Sequence, residues 1–213
     1  MRKGTFDGLA LAALVVAGIV SALAYSRLPD PVPTHFDLHG NPNGWMSRDV
    51  AVVFTPLFGL ALWLLTRFVA RILPKSDKRR IDERSMAMVA SLTAVFIAAV
   101  HILIMYVAIV PHVNVTQPVF LLMGFFYVAL GLVLPRIRRN PIIGIRTPWT
   151  LTSDENWART QRVAGYSMVF GGIVGALAGL TGGAAGGVIA IGAFLLSALV
   201  PAGYSLMLAR RAG

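Results

Sequence analysis

The sequence predicts an all-α integral membrane protein. It is expected to have six transmembrane helices, both termini in the cytoplasm, and a small β-hairpin-like outer loop between helices 1 and 2. Three observations carry this prediction. Hydrophobic residues make up 56% of the 213-residue chain and charged residues 13%, against the roughly 25% charged that is usual in a globular domain. The apolar residues fall in six runs, each about long enough to cross a bilayer. The 19 lysines and arginines are distributed in the lopsided way that membrane topology imposes.

The runs cover residues 8–25, 50–73, 85–110, 118–134, 163–181 and 187–208. The first follows Met1-Arg2-Lys3 and ends near Ala22-Leu23-Ala24, the outline of a secretory signal with a small-residue cleavage site. Removing it would leave an odd number of spans, so it is read as a retained helix. Pro56 lies in the first turns of the second run and Pro118 opens the fourth, where a missing N–H costs least. TGGAAGG, residues 181–187, is expected to be the turn between the last two spans, being too rich in glycine for a helix to run through. Gly171, Gly175 and Gly179 leave one face of the fifth span nearly bare, which permits close helix packing. Packing within the chain, against span six or four, is favoured there over a homodimer seam. Two parts are expected. Residues 1–110 hold three helices and an outer loop at 28–49, and residues 111–213 hold three helices and an inner loop at 135–162.

Orientation follows from the basic residues. Arg2 and Lys3 precede span one. Arg67, Arg71, Lys75, Lys78, Arg79, Arg80 and Arg84 gather between spans two and three. Arg136, Arg138, Arg139, Arg146, Arg159 and Arg162 lie between spans four and five, and Arg210 and Arg211 close the chain. All of these share one side of a six-span topology, leaving Arg27 and Arg48 on the other. The richer side is expected to be cytoplasmic. The net charge of +10 is thereby explained as topology rather than nucleic-acid binding, with anionic lipid headgroups as secondary partners.

The chain has no cysteine, which excludes disulfides and thiolate metal sites. It has no G-x-S-x-G, no H-E-x-x-H, no P-loop and no dinucleotide fingerprint. No cofactor and no catalysis are expected.

The outer loop begins extended, held by Pro29, Pro31 and Pro33. In THFDLHG, alternation would place His35, Asp37 and His39 on one face of a strand and Phe36 and Leu38 on the other. GNPNG, residues 40–44, is turn chemistry, and Trp45 is an interfacial anchor. His35, Asp37, His39, Asn41, Trp45 and Arg48 are the candidate outer ligand-binding residues. Zinc on His35, Asp37 and His39 is an alternative. However, same-face neighbours on a strand stand nearly 7 Å apart, taking about 3.4 Å per residue, which is wide for one ion.

The inner loop, NPIIGIRTPWTLTSDENWARTQR, is one polar island in a greasy chain. Asn140-Pro141 favours a turn, and Thr147-Pro148-Trp149 an extended segment. Thr152 and Glu155 match a capping box, so a helix is expected to begin near Ser153 and continue into span five. Glu155 and Arg159 have the spacing of a helical ion pair. Arginine and tryptophan are the favoured anchors of binding surfaces. Asn140, Arg146, Thr147, Pro148, Trp149, Glu155, Trp157, Arg159 and Arg162 are therefore the candidate partner-binding residues. His101 falls near mid-membrane in span three, where an ionisable residue is a candidate functional group or a hydrogen-bonded neutral imidazole.

GIRTPWTL, followed by Glu155, Trp157, Thr160, Arg162 and Gly165 in E-x-W-x-x-T-x-R-x-x-G, resembles the signature of the SdpI family of bacterial membrane proteins. Gln161 stands where that pattern has histidine. Pro33, His35, Gly40, Gly44 and Trp45, as P-x-H-x4-G-x3-G-W, resemble a domain of unknown function that often precedes it. The resemblance implies immunity to a secreted, hydrophobic antimicrobial peptide toxin, together with a receptor role in which a cytoplasmic winged-helix repressor is held at the membrane. A small transporter or channel using His101 is the alternative reading.

Overall fold

In the computed structural model, which describes residues 3–72, 83–110 and 113–212, the six apolar runs become six long helices. Helix α1 (Lys3–Ala24) ends in a single 3-10 turn, Tyr25–Arg27. Strands β1 (Val32–Phe36) and β2 (Pro42–Met46) follow, then α2 (Arg48–Ile72), α3 (Glu83–Ile109) and α4 (Thr116–Val133), the last with a terminal 3-10 turn, Leu134–Arg136. A five-residue helix α5 (Pro148–Thr152) precedes α6 (Asp154–Leu180) and α7 (Gly183–Ala212). All but α5 are long and apolar enough to cross a membrane. The chain is a multi-pass membrane protein. Arg2, Lys75, Lys78, Arg79 and Arg80 of the predicted basic side lie outside the described residues.

Side-chain size is distributed as lipid solvation demands. Leu23, Leu57, Phe68, Phe125, Phe170 and Leu199 face outward, while alanines such as Ala10, Ala17, Ala94, Ala164 and Ala190 are buried between helices. Lipid tails are as apolar as leucine, so close packing rather than hydrophobic exclusion holds such helices together, and small residues permit it. Helices α1 and α2 pack on α3, and α6 lies against both α4 and α7. Phe96 of α3 stacks on Phe126 of α4, with ring centroids 4.4 Å apart, joining the two trios.

The glycines of α6 serve two neighbours. A Cβ on Gly171 would come within 2.7 Å of Ser197, one on Gly175 within 2.5 Å of Phe194, and one on Gly179 within 2.2 Å of Phe120. The first two face α7 and the third α4. A second seam escaped the sequence reading. Gly124 and Gly131 of α4 meet Gly172 and Gly165 of α6, each pair so close that an added Cβ would stand 2.6 to 2.8 Å from the opposing carbonyl oxygen.

The turn between α6 and α7 is shorter than expected. The helix restarts at Gly183 rather than after Gly187, because two glycines suffice: Gly182 and Gly183 have φ of 73° and 71°, a region costly for other residues.

The hairpin is antiparallel, pairing Val32 with Met46 and Pro33 with Trp45, and its register is irregular around His35. It closes one end of the bundle, hereafter the hairpin end. Val32 is buried with Ala24, Leu28, Ala51 and Met105 of the first trio. Leu38 packs against the cluster of Phe120, Ala190 and Phe194 in the second.

Candidate functional site

The island of residues 136–162 folds at the opposite end, and its uncharged polar side chains mostly turn inward. Asn140 is buried; its Oδ1 accepts from the backbone N–H of Ile142 (2.8 Å) and Ile143 (3.0 Å), and its Nδ2 donates to the carbonyl of Arg138 (2.8 Å). That closes the expected Asn-Pro turn. Gly144 follows at φ 111°, and a Cβ there would stand 2.9 Å from Gln161 Oε1 and 3.0 Å from the Trp157 ring.

Gln161, only 1% exposed, treats Ile145 as a strand would. Its Oε1 accepts from the Ile145 N–H and its Nε2 donates to the Ile145 carbonyl, both at 3.0 Å. A neutral amide supplies both bonds in one plane, so Gln161 acts here as a backbone clamp.

Two expectations about the helix starts are corrected. Thr147-Pro148-Trp149 is not an extended segment. Thr147 caps α5, with a reciprocal box between Thr147 and Thr150 and Pro148 in the first turn, where proline is preformed for a helix. Thr152 is consequently the last residue of α5, and the cap of α6 is Ser153, which accepts from the Asn156 N–H at 3.1 Å. The Thr152–Glu155 box does not form. Glu155 instead pairs with Arg159 at 2.8 Å, in the spacing anticipated.

The platform is pinned at several points. Trp157 Nε1 donates to the Ile137 carbonyl (2.8 Å), Trp149 Nε1 to Ser205 Oγ (2.7 Å), and Asn156 Nδ2 to the Ser205 carbonyl (3.0 Å). Thr160 donates to Asn156 Oδ1 at 3.0 Å. Arg139 spans the α5–α6 junction, reaching Asp154 Oδ1 and the Leu151 carbonyl, each at 2.5 Å. Ser205 was missed in the sequence: one of two serines inside an apolar helix, it is fully buried and receives both Trp149 and Thr147.

The predicted partner-binding residues therefore divide. Asn140 and Trp157 (2% exposed) are buried and shape the platform from beneath, with Thr147 part-buried beside them. This corrects the picture of Trp157 as a presented anchor. Arg146, Pro148, Glu155, Arg159 and Arg162 are exposed and Trp149 is half-buried. Trp149, Glu155, Asn156 and Arg159, with Leu208 and Arg211 of α7, line a hollow of about 430 Å³. Arg146 bonds the Pro141 carbonyl, which ties its guanidinium to the Asn140 turn.

At the hairpin end the expected alternation stops early. β1 ends at Phe36, because Asp37 opens a turn instead. Its Oδ1 accepts from the N–H groups of His39 (2.8 Å) and Asn41 (2.9 Å), and its Oδ2 from Asn41 Nδ2 (3.3 Å). These bonds, the Asn41 backbone foremost, hold the Asp37 carboxyl below the usual carboxylate range. His35 turns to Asn43, and His39 Nδ1 stands 3.9 Å from Asp37 Oδ2. Among the described residues no three His, Asp or Glu side chains are grouped to hold a metal, so the zinc alternative is withdrawn. Trp45 is 55% exposed. Arg48 stacks over the Tyr25 ring at 5.6 Å, and its backbone N–H meets Asp30 Oδ1 at 3.1 Å.

His101 is 1% exposed and ties three helices. Ser21 Oγ donates to the Val52 carbonyl at 2.8 Å and lies 2.7 Å from His101 Nε2. The one serine proton is committed to Val52, so His101 Nε2 carries a proton and donates it to Ser21.

With this geometry in place, the chain can be set beside known proteins. Residues 136–205 match the SdpI/YfhL protein family, a stretch that begins at the end of α4 and ends on Ser205. Residues 12–60 match a domain of unknown function, DUF1648, covering most of α1, the hairpin and the first half of α2. Over 157 residues the chain is 26% identical to the Immunity protein SdpI of Bacillus subtilis (strain 168), an overlap that takes in 73% of this chain and 72% of that one. No solved structure matches.

Proposed function

We propose that the chain, whose residues 136–205 match the SdpI/YfhL protein family, is a non-enzymatic immunity protein of the bacterial inner membrane. It meets a hydrophobic antimicrobial peptide at the hairpin end and docks a cytoplasmic winged-helix repressor on the island. The observation that carries this reading is the inward polar lattice of Asn140, Thr150, Asn156, Thr160 and Gln161, all buried and all hydrogen-bonded. A segment ordered before its partner arrives loses less conformational entropy on binding, and this one displays Arg146, Trp149, Arg159 and Arg162 on a fixed frame. The likeness to a protein named for immunity supports the same role. The basic bias of the island side supports a cytoplasmic position for it, with both termini inside.

The cysteine-free chain makes the topology directly testable. In intact cells a membrane-impermeant maleimide should label Asn41→Cys, and should label Thr152→Cys only after permeabilisation. The reverse pattern would remove the docking assignment. For docking itself, a double Arg146→Ala, Arg159→Ala variant should insert and fold as the parent does but fail to recruit the repressor in a co-isolation experiment. Undiminished recruitment would reject the island as the docking face.

A further inference from the structure

Among the described residues four buried side-chain atoms lack a hydrogen-bond partner: Asp7 Oδ1, Arg48 Nε, Trp63 Nε1 and His101 Nδ1. A buried polar atom without a partner is costly, and native structures contain few of them. Asp7 and Trp63 line the same cavity, about 620 Å³, together with Leu64, Leu65, Arg67 and Phe68. One of the two atoms is an acceptor lacking a proton and the other a donor lacking a lone pair. A hydroxyl group is the simplest single partner that satisfies both.

The surroundings narrow the class of molecule. Arg67 Nη2 donates to the other Asp7 oxygen, Oδ2, at 3.0 Å, and a guanidinium has five N–H donors, so one such bond leaves donors for an anion. Leu64, Leu65 and Phe68 are between half and three-fifths exposed on the outer face of α2, where they offer an apolar wall. Trp63 itself packs against Ala10, Leu14 and Ala94, so its position is fixed. Asp7 lies four residues inside the start of α1 and Arg67 five inside the end of α2. At 1.5 Å per residue these depths are about 6 to 8 Å, comparable with the headgroup layer of a bilayer.

We propose that this cavity binds an anionic phospholipid bearing a free hydroxyl in its headgroup, of the phosphatidylglycerol type. The headgroup hydroxyl donates to Asp7 Oδ1 and accepts from Trp63 Nε1. The phosphate lies on Arg67, and an acyl chain runs along Leu64, Leu65 and Phe68. The site is separate from the island and from the hairpin.

The test uses the full chain, purified and stripped of lipid in detergent, with binding followed by native mass spectrometry. Phosphatidylglycerol is compared with phosphatidylmethanol, which has the same charge and chains but no headgroup hydroxyl. Phosphatidylglycerol should bind roughly two- to tenfold more tightly, the ratio expected for one net hydrogen bond. Trp63→Phe, which keeps the ring packing and leaves only the Asp7 bond, should reduce that preference while leaving phosphatidylmethanol binding unchanged. Arg67→Gln should weaken both lipids relative to phosphatidylcholine. Equal binding of the two anionic lipids, or a preference undiminished by Trp63→Phe, would overturn the proposal in favour of a bridging water. Competition by millimolar free glycerol phosphate would overturn it in favour of a soluble polyol phosphate.

Discussion

The two ends of this bundle use polar residues in opposite ways. At the island end Asn140, Asn156, Thr160 and Gln161 are buried, and their bonds run to backbone and to one another. At the hairpin end the polar residues His35, Asp37, His39 and Asn41 stay at the surface and bond only within the loop. There the anchors are apolar, Val32 in one helix trio and Leu38 in the other. The difference teaches what each end is suited for. A polar lattice has directional bonds and therefore one geometry, which suits a template that must be recognised. Apolar plugs on a short hairpin tolerate small shifts, which suits a surface that adapts to an irregular, greasy ligand.

The comparison breaks most readily at Trp157. Replacing it with alanine removes a fully enclosed indole and leaves the Ile137 carbonyl unpaired, a loss of about 3–5 kcal/mol for a large buried aromatic. Thermal unfolding in detergent should show it as the largest single effect at either end. A change below about 1 kcal/mol would mean the island is not held together from within. Gln161→Leu comes next. It keeps the volume but orphans the N–H of Ile145, whose C=O retains the Thr150 hydroxyl, so about 1–3 kcal/mol is expected, and proteolysis of residues 140–146 should accelerate in step. At the hairpin end Leu38→Ala should cost less, about 1–2 kcal/mol, since the residue is only partly buried and truncation of a fully enclosed leucine costs about 2–5 kcal/mol. His39→Ala should fall within about 0.5 kcal/mol, as exposed substitutions do. Were His39→Ala to destabilise the chain as much as Gln161→Leu, the contrast between the ends would be lost.

How much of this was legible before the structure depends on the range of the interaction. Helical spans are long and locally encoded, so all six were readable, as was the ion pair of Glu155 with Arg159, four residues apart. The Gly171–Gly175–Gly179 face was visible because its period lies within one helix. Its counterpart, Gly124 and Gly131, was not, because a seven-residue spacing acquires meaning only when α4 lies antiparallel to α6. Ser205 was invisible for the same reason. Nothing in an apolar run marks the one hydroxyl that faces Trp149, and only the return of α7 brings them together. The caps were displaced from Thr152 to Thr147 and Ser153 because three hydroxyl residues compete there, and burial of Thr150 decided the outcome. At the hairpin, alternation in THFDLHG suggested a longer strand, but the Asp37 carboxylate captured two backbone N–H groups and ended it. Local side-chain bonding of this kind regularly competes with a strand ladder.

That capture gives the smallest effect, and the one most specific to the hairpin. The folded Asp37 carboxyl lies below its ordinary value of 3.8 because the N–H groups of Asn41 and His39 favour the charged form. A depressed carboxylate contributes stability that is fully present above its unfolded value and is lost as pH falls through its folded one. The turn should therefore be unchanged from neutral pH down to the acid carboxylate range, and loosen only below it. Amide resonances of His39 and Asn41 in detergent micelles should move together with a single midpoint under 3.8. In Asp37→Asn, which retains an acceptor but no charge, they should show no such midpoint. The amides of Ile142, Ile143 and Ile145 at the island should not respond over the same range, since the Asn140 and Gln161 side chains that hold them do not titrate. A transition of those island amides at the Asp37 midpoint would show that one electrostatic unit controls both turns, and the division between a directional lattice and an apolar plug would then be the wrong description.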